Sequence, residues 1–303
     1  MSRRRFMELT SAAAVAAPVV GALGQTATTP PPPPAAARKI RKAVKLGMVQ
    51  VDGSVRDKFQ LLADLGFDGV EITSPNDLDA DEIVAARDAT GIVVHGVVCG
   101  EHWRSPLSDP DAAVRARCRT AMETAIDDAV AYGATTVLLV PGVVRKEVPY
   151  ADAWERSRAE VGRLVPIAED RDVTIAFENV WNDFLLSPLE ARDYVDSFES
   201  DNVGWYFDVG NVVRSAWPEH WIAALGPRIV KVDVKEYSRK KRDGEGLWRG
   251  FDVELLEGDC DWPAVMRALD DIGYEGWFTA EIGGGGPERL AKIEKRMSRI
   301  IQS

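Results

Sequence analysis

Histidine and cysteine are scarce in this chain, three of each among 303 residues. Cys99, Cys118 and Cys260 are odd in number and lack metal-ligand spacing, which argues against a disulfide framework, although one pair could form in an oxidising compartment. His95, His102 and His220 are too few for a histidine-rich cluster of several zinc ions. Positive charge is also in deficit: 37 Lys and Arg stand against 48 Asp and Glu, a formal net charge of −11. Residues 1–37 contribute a net +2, which leaves about −13 on the remainder. Such a body repels nucleic-acid backbones and anionic membrane surfaces at long range. A Gly-rich phosphate turn is missing too. The first apolar strand runs into MVQVDGSV, with no G-x-G-x-x-G, so the usual mark of an open dinucleotide-binding sheet is absent.

What the chain does contain begins with a leader. Ser2-Arg3-Arg4-Arg5-Phe6-Met7 resembles the twin-arginine export motif, and an Ala/Val-rich core with small residues follows. That core is shorter than the roughly 20 residues of a permanent membrane span. The reading is a cleavable twin-arginine signal over residues 1–28 and export to the periplasm or beyond. A retained anchor and a disordered basic tail are the alternatives. Pro30 to Pro34 then favour an extended, semi-rigid spacer, assigned to 29–43. Residues 44–303 form the folded body, large enough for one α/β barrel.

From residue 44 onward an apolar strand, a polar loop and an amphipathic helix recur eight times. The strands are expected at 45–49, 69–72, 92–98, 135–140, 173–179, 203–209, 229–235 and 276–282. Several of the helices end in Gly, a common stop signal. Phrases such as LADLGFDGVEI and ALDDIGYEGWFTAEI repeat the order helix, Gly, turn, strand. Eight such units predict a single (β/α)8 TIM barrel, an α/β fold, with the signal peptide and Pro-rich linker ahead of it.

The seventh strand, IVKVDVK, places Lys231, Asp233 and Lys235 on one face and Val230, Val232 and Val234 on the other. In such a barrel the apolar face meets the helices and the charged face points inward. The same alternation turns Glu178, Asp208 and Glu281 inward near the ends of strands five, six and eight, where barrel active sites lie. Four carboxylates converging there repel one another unless a cation compensates. A divalent ion with oxygen ligands, Mg²⁺ or Mn²⁺, is the simplest neutraliser, with Lys231 and Lys235 supplying part of the balance. The alternative for any single acid is an ion pair with one of these lysines.

At FENVWND, FDVGN, VKVDVKEYS and TAEIGGG the sequence resembles the sugar phosphate isomerase/epimerase superfamily of xylose-isomerase-like barrels, over about residues 44–300. The resemblance implies one divalent metal held by Glu178, Asp208, Asp233 and Glu281. Members commonly carry His at the position of Asp233, and the exchange for a harder ligand favours Mn²⁺ or Mg²⁺ over Zn²⁺. It also implies that Glu178 and Glu281 form a proton-transfer pair on either side of a carbon next to a sugar carbonyl, with an enediolate between the two transfers.

Substrate contacts are expected from Glu71, His102, Trp103, Asn211, Lys235 and Arg239. Glu71 is equally readable as a structural ion pair. His95 faces inward if its strand is regular. His102 and Trp103 would stack a sugar. Asn211 and Arg239 stand three and six residues beyond Asp208 and Asp233, where ketose epimerases place substrate- and metal-proximal groups. The run RKKR beginning at Arg239 also reads as a solvated loop. Residues 238–262 are long enough to form a lid over the mouth.

The expectation is therefore a metal-dependent sugar isomerase or epimerase acting on a small sugar or keto-sugar. It has no nucleic-acid partner and no stable membrane insertion, and homo-oligomerisation is left open. A lyase or hydratase of 3-keto-glycosides, which begins with the same proton abstraction, and a non-catalytic sugar-binding protein are the alternatives. The superfamily's abasic-site endonucleases are disfavoured by the scarcity of histidine and the acidic body.

Overall fold

The computed structural model describes residues 38–303, and the leader and most of the Pro-rich linker lie outside the described residues. Eight strands pair in parallel, each with its neighbour in sequence, and the last closes on the first. They are β1 (Ile40–Lys45), β2 (Gly69–Ser74), β3 (Val93–Cys99), β4 (Thr136–Leu139), β5 (Thr174–Glu178), β6 (Val203–Asp208), β7 (Ile229–Val234) and β8 (Gly276–Ala280). The expected (β/α)8 barrel is the fold.

Among the described residues ten helices surround or cap it: α1 (Val55–Leu65), α2 (Ala80–Thr90), α3 (Ala112–Tyr132), α4 (Tyr150–Asp170), α5 (Pro188–Asp196), α6 (Val209–Val213), α7 (Pro218–Leu225), α8 (Arg239–Glu245), α9 (Trp262–Asp271) and α10 (Pro287–Ile301). Two exceed the eight expected from sequence. The single turn α6 follows β6 directly, and α8 lies in the long segment after β7. Among the described residues no helix is long and apolar enough to cross a membrane.

Local chemistry explains the helix ends. Ser54 and Asp57 cap each other's backbone at the start of α1, and Gly66 closes it in the left-handed conformation with φ 88°. A side chain at Gly66 would be strained there, which is why a Gly can mark the stop in sequence. The outward faces of the strands, including Ile175 and Phe177 of β5, join one large apolar core with the helices. Inside the barrel a small separate cluster of Leu138, Ala176 and Tyr206 packs with Val98 and Val230.

Two strand expectations need correction. The first strand runs over Ile40–Lys45, not 45–49, and Leu46–Met48 is a 3₁₀ turn. The segment IRKAVK reads as basic linker, but each of its cations has a partner on a neighbouring element, β8, α10 or β2. Arg41 stacks on Trp277 at 4.0 Å, Lys42 pairs with Glu294, and Lys45 reaches Glu71. The barrel thus begins four residues earlier than expected. Val230 also departs from the predicted alternation. Trp205 pairs with Ile229 and Tyr206 with Lys231, so Val230 is an extra residue in a β-bulge and packs inside the barrel. Gly204 leaves the room: a Cβ there would sit 2.8 Å from Val230 Cγ1. A second bulge falls at His95, between the pairs Val70–Val94 and Glu71–Gly96.

Candidate functional site

Asp208 ends β6 and performs two tasks. Its Oδ1 accepts the Asn211 N–H at 2.8 Å and so starts α6, while Oδ2 meets the Lys235 ammonium at 2.7 Å. That double use explains the FDVGN spacing. Gly210 lies between them because a Cβ there would approach the Lys235 backbone to 2.8 Å. Asn179 stitches β5 to β6: its Oδ1 accepts from Asp208 N and Trp205 Nε1, both at 3.0 Å, and its Nδ2 donates to Asp208 O at 2.7 Å. This lock fixes Glu178 against Asp208. In the next register, Asp208 stands directly opposite Asp233, a costly pairing of like charges.

One oxygen from each of Glu178, Asp208, Asp233 and Glu281 lies within 4.8 Å of all the others. The four acids expected to converge therefore do. Lys235 also contacts Glu281 at 3.0 Å. On the other side Lys45 lies 3.1 Å from Glu71, 3.2 Å from Asp233 and 3.8 Å from Glu281. Four carboxylates thus share two ammonium groups, and Glu178 has neither within ion-pair distance. Both oxygens of Asp233, Asp208 Oδ2 and Glu281 Oε2 are buried and accept no aligned hydrogen bond.

The electrostatics follow from this shortage. Burial pushes the Glu178 carboxyl well above the usual range, and Glu281 adds to it. Burial likewise raises Asp233 strongly and Asp208 more modestly, against the pull of Lys45 and Lys235 respectively. Glu281 goes the other way: burial works to raise it, but Lys45 and Lys235 together bring it down to about 2. Four carboxylates within one ion's reach, too many for the two ammonium groups beside them and with Asp233 Oδ1 left without any partner, form the donor set of a hard divalent cation, and the residues present fit such a group. Glu178, Asp208, Asp233 and Glu281 would hold it.

These acids open into a cavity of about 850 Å³ whose lining includes Glu178, Glu281, Asn211, Lys235 and Trp103. The Asn211 amide lies 3.5 Å from Glu178 Oε1. Segment 238–262 covers the mouth as expected, since Lys241, Trp248, Phe251 and Glu254 line the same cavity. His102 is buried, and its Nδ1 accepts the Val140 N–H at 3.3 Å while its ring meets Trp103 edge-on. Burial, then Lys45, lowers it to about 4, so it is neutral.

Three expected substrate contacts are corrected: His102, Glu71 and Arg239 lie outside the cavity lining. Glu71 is 1% exposed and lies outside the cavity lining, paired with Lys45 inside the barrel. Arg239 turns away as well: its guanidinium donates to the carbonyls of Val213 and Ala216 at 2.9 and 2.8 Å and stacks near Trp217. It clamps the loop between α6 and α7. His95 does face inward, stacked on Trp277 with Nε2 3.1 Å from Thr279, but it is absent from the four-acid cluster.

Sequence reasoning missed Glu236. This carboxylate is 1% exposed. It accepts from Leu256 N at 2.8 Å, Trp262 Nε1 at 2.9 Å, Cys260 N at 3.0 Å and its neighbour Tyr237 N at 3.3 Å. It therefore holds the returning half of the lid. Its one signal in sequence is that it breaks the alternation after Lys235. Lys45 was missed because its strand was misplaced.

A family model described as xylose isomerase-like TIM barrel matches residues 59–301. The chain belongs to this family. L-ribulose-5-phosphate 3-epimerase UlaE of Escherichia coli O1:K1 / APEC is 28% identical over 241 residues, covering 75% of this chain and 81% of that protein. The solved structure of an L-ribulose 3-epimerase superposes with TM-score 0.74 at 18% identity, covering 87% of this chain and 95% of that one. The IOLI protein with a bound zinc atom does so with TM-score 0.72 at 16% identity, covering 86% and 98%. At these identities the two structures bear on the fold alone.

Proposed function

We propose that this protein is a divalent-metal-dependent sugar epimerase that moves a proton at the carbon next to a sugar carbonyl. The observation that carries the reading is the placement of Glu178 and Glu281, from β5 and the end of β8, in one four-acid cluster on the floor of a large cavity. The 3-epimerase activity of the similar UlaE protein supports epimerisation over aldose–ketose exchange. A bound Mn²⁺ or Mg²⁺ would supply Lewis-acid stabilisation of negative charge on the substrate oxygen.

The chain's own residues do the rest. One of the two glutamates removes the proton from one face of the carbon, and the other returns a proton to the opposite face. Lys45 and Lys235 together keep Glu281 ionised and so able to accept a proton. The Asn211 amide orients Glu178. Trp103 and the lid exclude water from the reacting carbon.

The test is solvent exchange. In D₂O, deuterium should enter a keto-sugar at the carbon beside its carbonyl, and Glu281→Gln should reduce the rate at least 10³-fold. Elimination products from a 3-keto-glycoside would favour the lyase reading instead. Tight sugar binding without any exchange would make the protein a binding module. The export reading of residues 1–28 is likewise proposed, and a reporter fused behind them should reach the periplasm unless Arg4 and Arg5 are both replaced by Lys.

A further inference from the structure

We infer that the cavity takes an uncharged substrate larger than a monosaccharide: a keto-sugar carrying a second ring, seated on an aromatic shelf of Trp181, Trp248 and Phe251. The inference rests on the epimerase reading only for where the reacting sugar sits. Size is the first argument. About 850 Å³ lies in the upper part of the range of pockets that enclose drug-sized ligands. A single sugar ring against the carboxylates leaves the lid wall uncovered.

That wall is aromatic and held in place. Trp181 packs on Trp248 and Phe251 with ring centroids 4.8 and 4.9 Å apart. Its indole N–H donates to the Asn211 carbonyl at 3.0 Å, and Arg214 stacks over it at 4.8 Å. Tyr237 meets Phe251 edge-on and anchors its hydroxyl on the Leu247 carbonyl at 2.8 Å. Yet Trp248 is 67% exposed. A rigid aromatic face left open beside a polar floor suits the C–H face of a second sugar or a planar aglycone, at little ordering cost.

Charge is the independent argument. Besides Glu178 and Glu281, the lining contains Glu236, Asp252, Glu254 and Glu257, against Lys235, Lys241 and Arg289. All three cations are engaged. Lys235 bridges Asp208 and Glu281, Arg289 joins Glu254 and the Gly283 carbonyl, and Lys241 donates to the Asp252 carbonyl. Two further cations of the basic run are also tied down, because Arg239 holds Val213 and Ala216 and Arg242 holds Asp243 and the Arg214 carbonyl, and the exposed Lys240 lies outside the lining. Asp252, Glu254 and Glu257 are balanced in turn by Arg249, Lys292 and Arg296. A phosphorylated sugar would therefore meet a lining whose cations are all already paired and which offers its phosphate no free partner.

The test is calorimetric titration of the Mn²⁺-loaded full chain with four probes: methyl glucoside, phenyl glucoside, fructose and fructose 6-phosphate. Phenyl glucoside should bind at least tenfold more tightly than methyl glucoside, and Trp248→Ala should erase that difference while Trp248→Phe keeps part of it. Fructose 6-phosphate should bind more weakly than fructose. Equal binding of the two glucosides, or tighter binding of the phosphate, overturns the inference. These readouts need no turnover. A protein that passes them but exchanges no keto-sugar proton keeps its shelf and loses the epimerase reading, while exchange with a preference for phosphate does the reverse.

Discussion

Lys235 Nζ stands 2.7 Å from Asp208 Oδ2 and so places a cation where a bound metal would draw on the same carboxylate. The ammonium partly neutralises the cluster but also competes for it. Lys235→Met should therefore tighten Mn²⁺ binding by about tenfold, a change of about 1.4 kcal/mol, measured by equilibrium dialysis. Its exchange rate should fall, because Glu281 loses one of the two ammonium groups that hold it ionised. Weaker metal binding in the variant would mean that Lys235 organises the ligands instead of opposing them.

Metal affinity should also depend on pH with a definite sign. Burial raises Glu178, Asp233 and Asp208 in the metal-free protein, so these groups hold protons at a pH where free carboxylates have lost them. Binding must expel those protons. Mn²⁺ affinity should fall steadily as the pH drops below neutrality, and proton release should be detectable by titration in buffers of different ionisation enthalpy. A flat profile would show that the metal, if any, binds elsewhere.

Asp233 is the position that sets ligand hardness. Replacing it by His adds an imidazole and removes one negative charge, which should raise the ratio of Zn²⁺ to Mn²⁺ affinity at least tenfold. Competition dialysis with both ions reads this directly, and an unchanged ratio would exclude Asp233 from the ligand set.

The Glu236 carboxylate couples the end of β7 to the lid. Glu236→Ala leaves the Leu256, Cys260 and Trp262 N–H groups without their acceptor. The expected loss is on the order of 3 kcal/mol, a melting temperature lower by roughly 5–10 °C. Protease cleavage within 238–262 should accelerate as well. A variant that melts lower without that local cleavage would assign Glu236 to the barrel and not to the lid.

His102 makes a separate pH prediction. Its folded value of about 4 lies below the ordinary 6.5 because of burial and Lys45. The unfolded chain therefore binds the proton first as the pH falls. Stability from the neutral ring is complete above about 6.5 and is lost on the way down to about 4, a cost on the order of 3 kcal/mol. Chemical denaturation at pH 7.5 and 4.5 should show that loss in the native protein and a smaller one in His102→Gln.

Seven of the eight strands, the helices that follow them and the four inward acids were legible in the chain alone. All are written in short-range patterns: a period of two along each strand and a capping Gly after a helix. Asp208 and Glu281 fall at strand ends that such patterns place within a residue or two. What depends on partners distant in the chain emerged only with the fold. The basic IRKAVK becomes β1 only because Trp277, Glu294 and Glu71 receive its cations. Val230 turns inward only because Gly204 leaves space for it. Arg239 and Glu71, plausible ligands by spacing, are taken by carbonyls and by Lys45. Charged side chains go to whichever opposite charge or acceptor the fold brings near, and no local pattern in the chain records that choice.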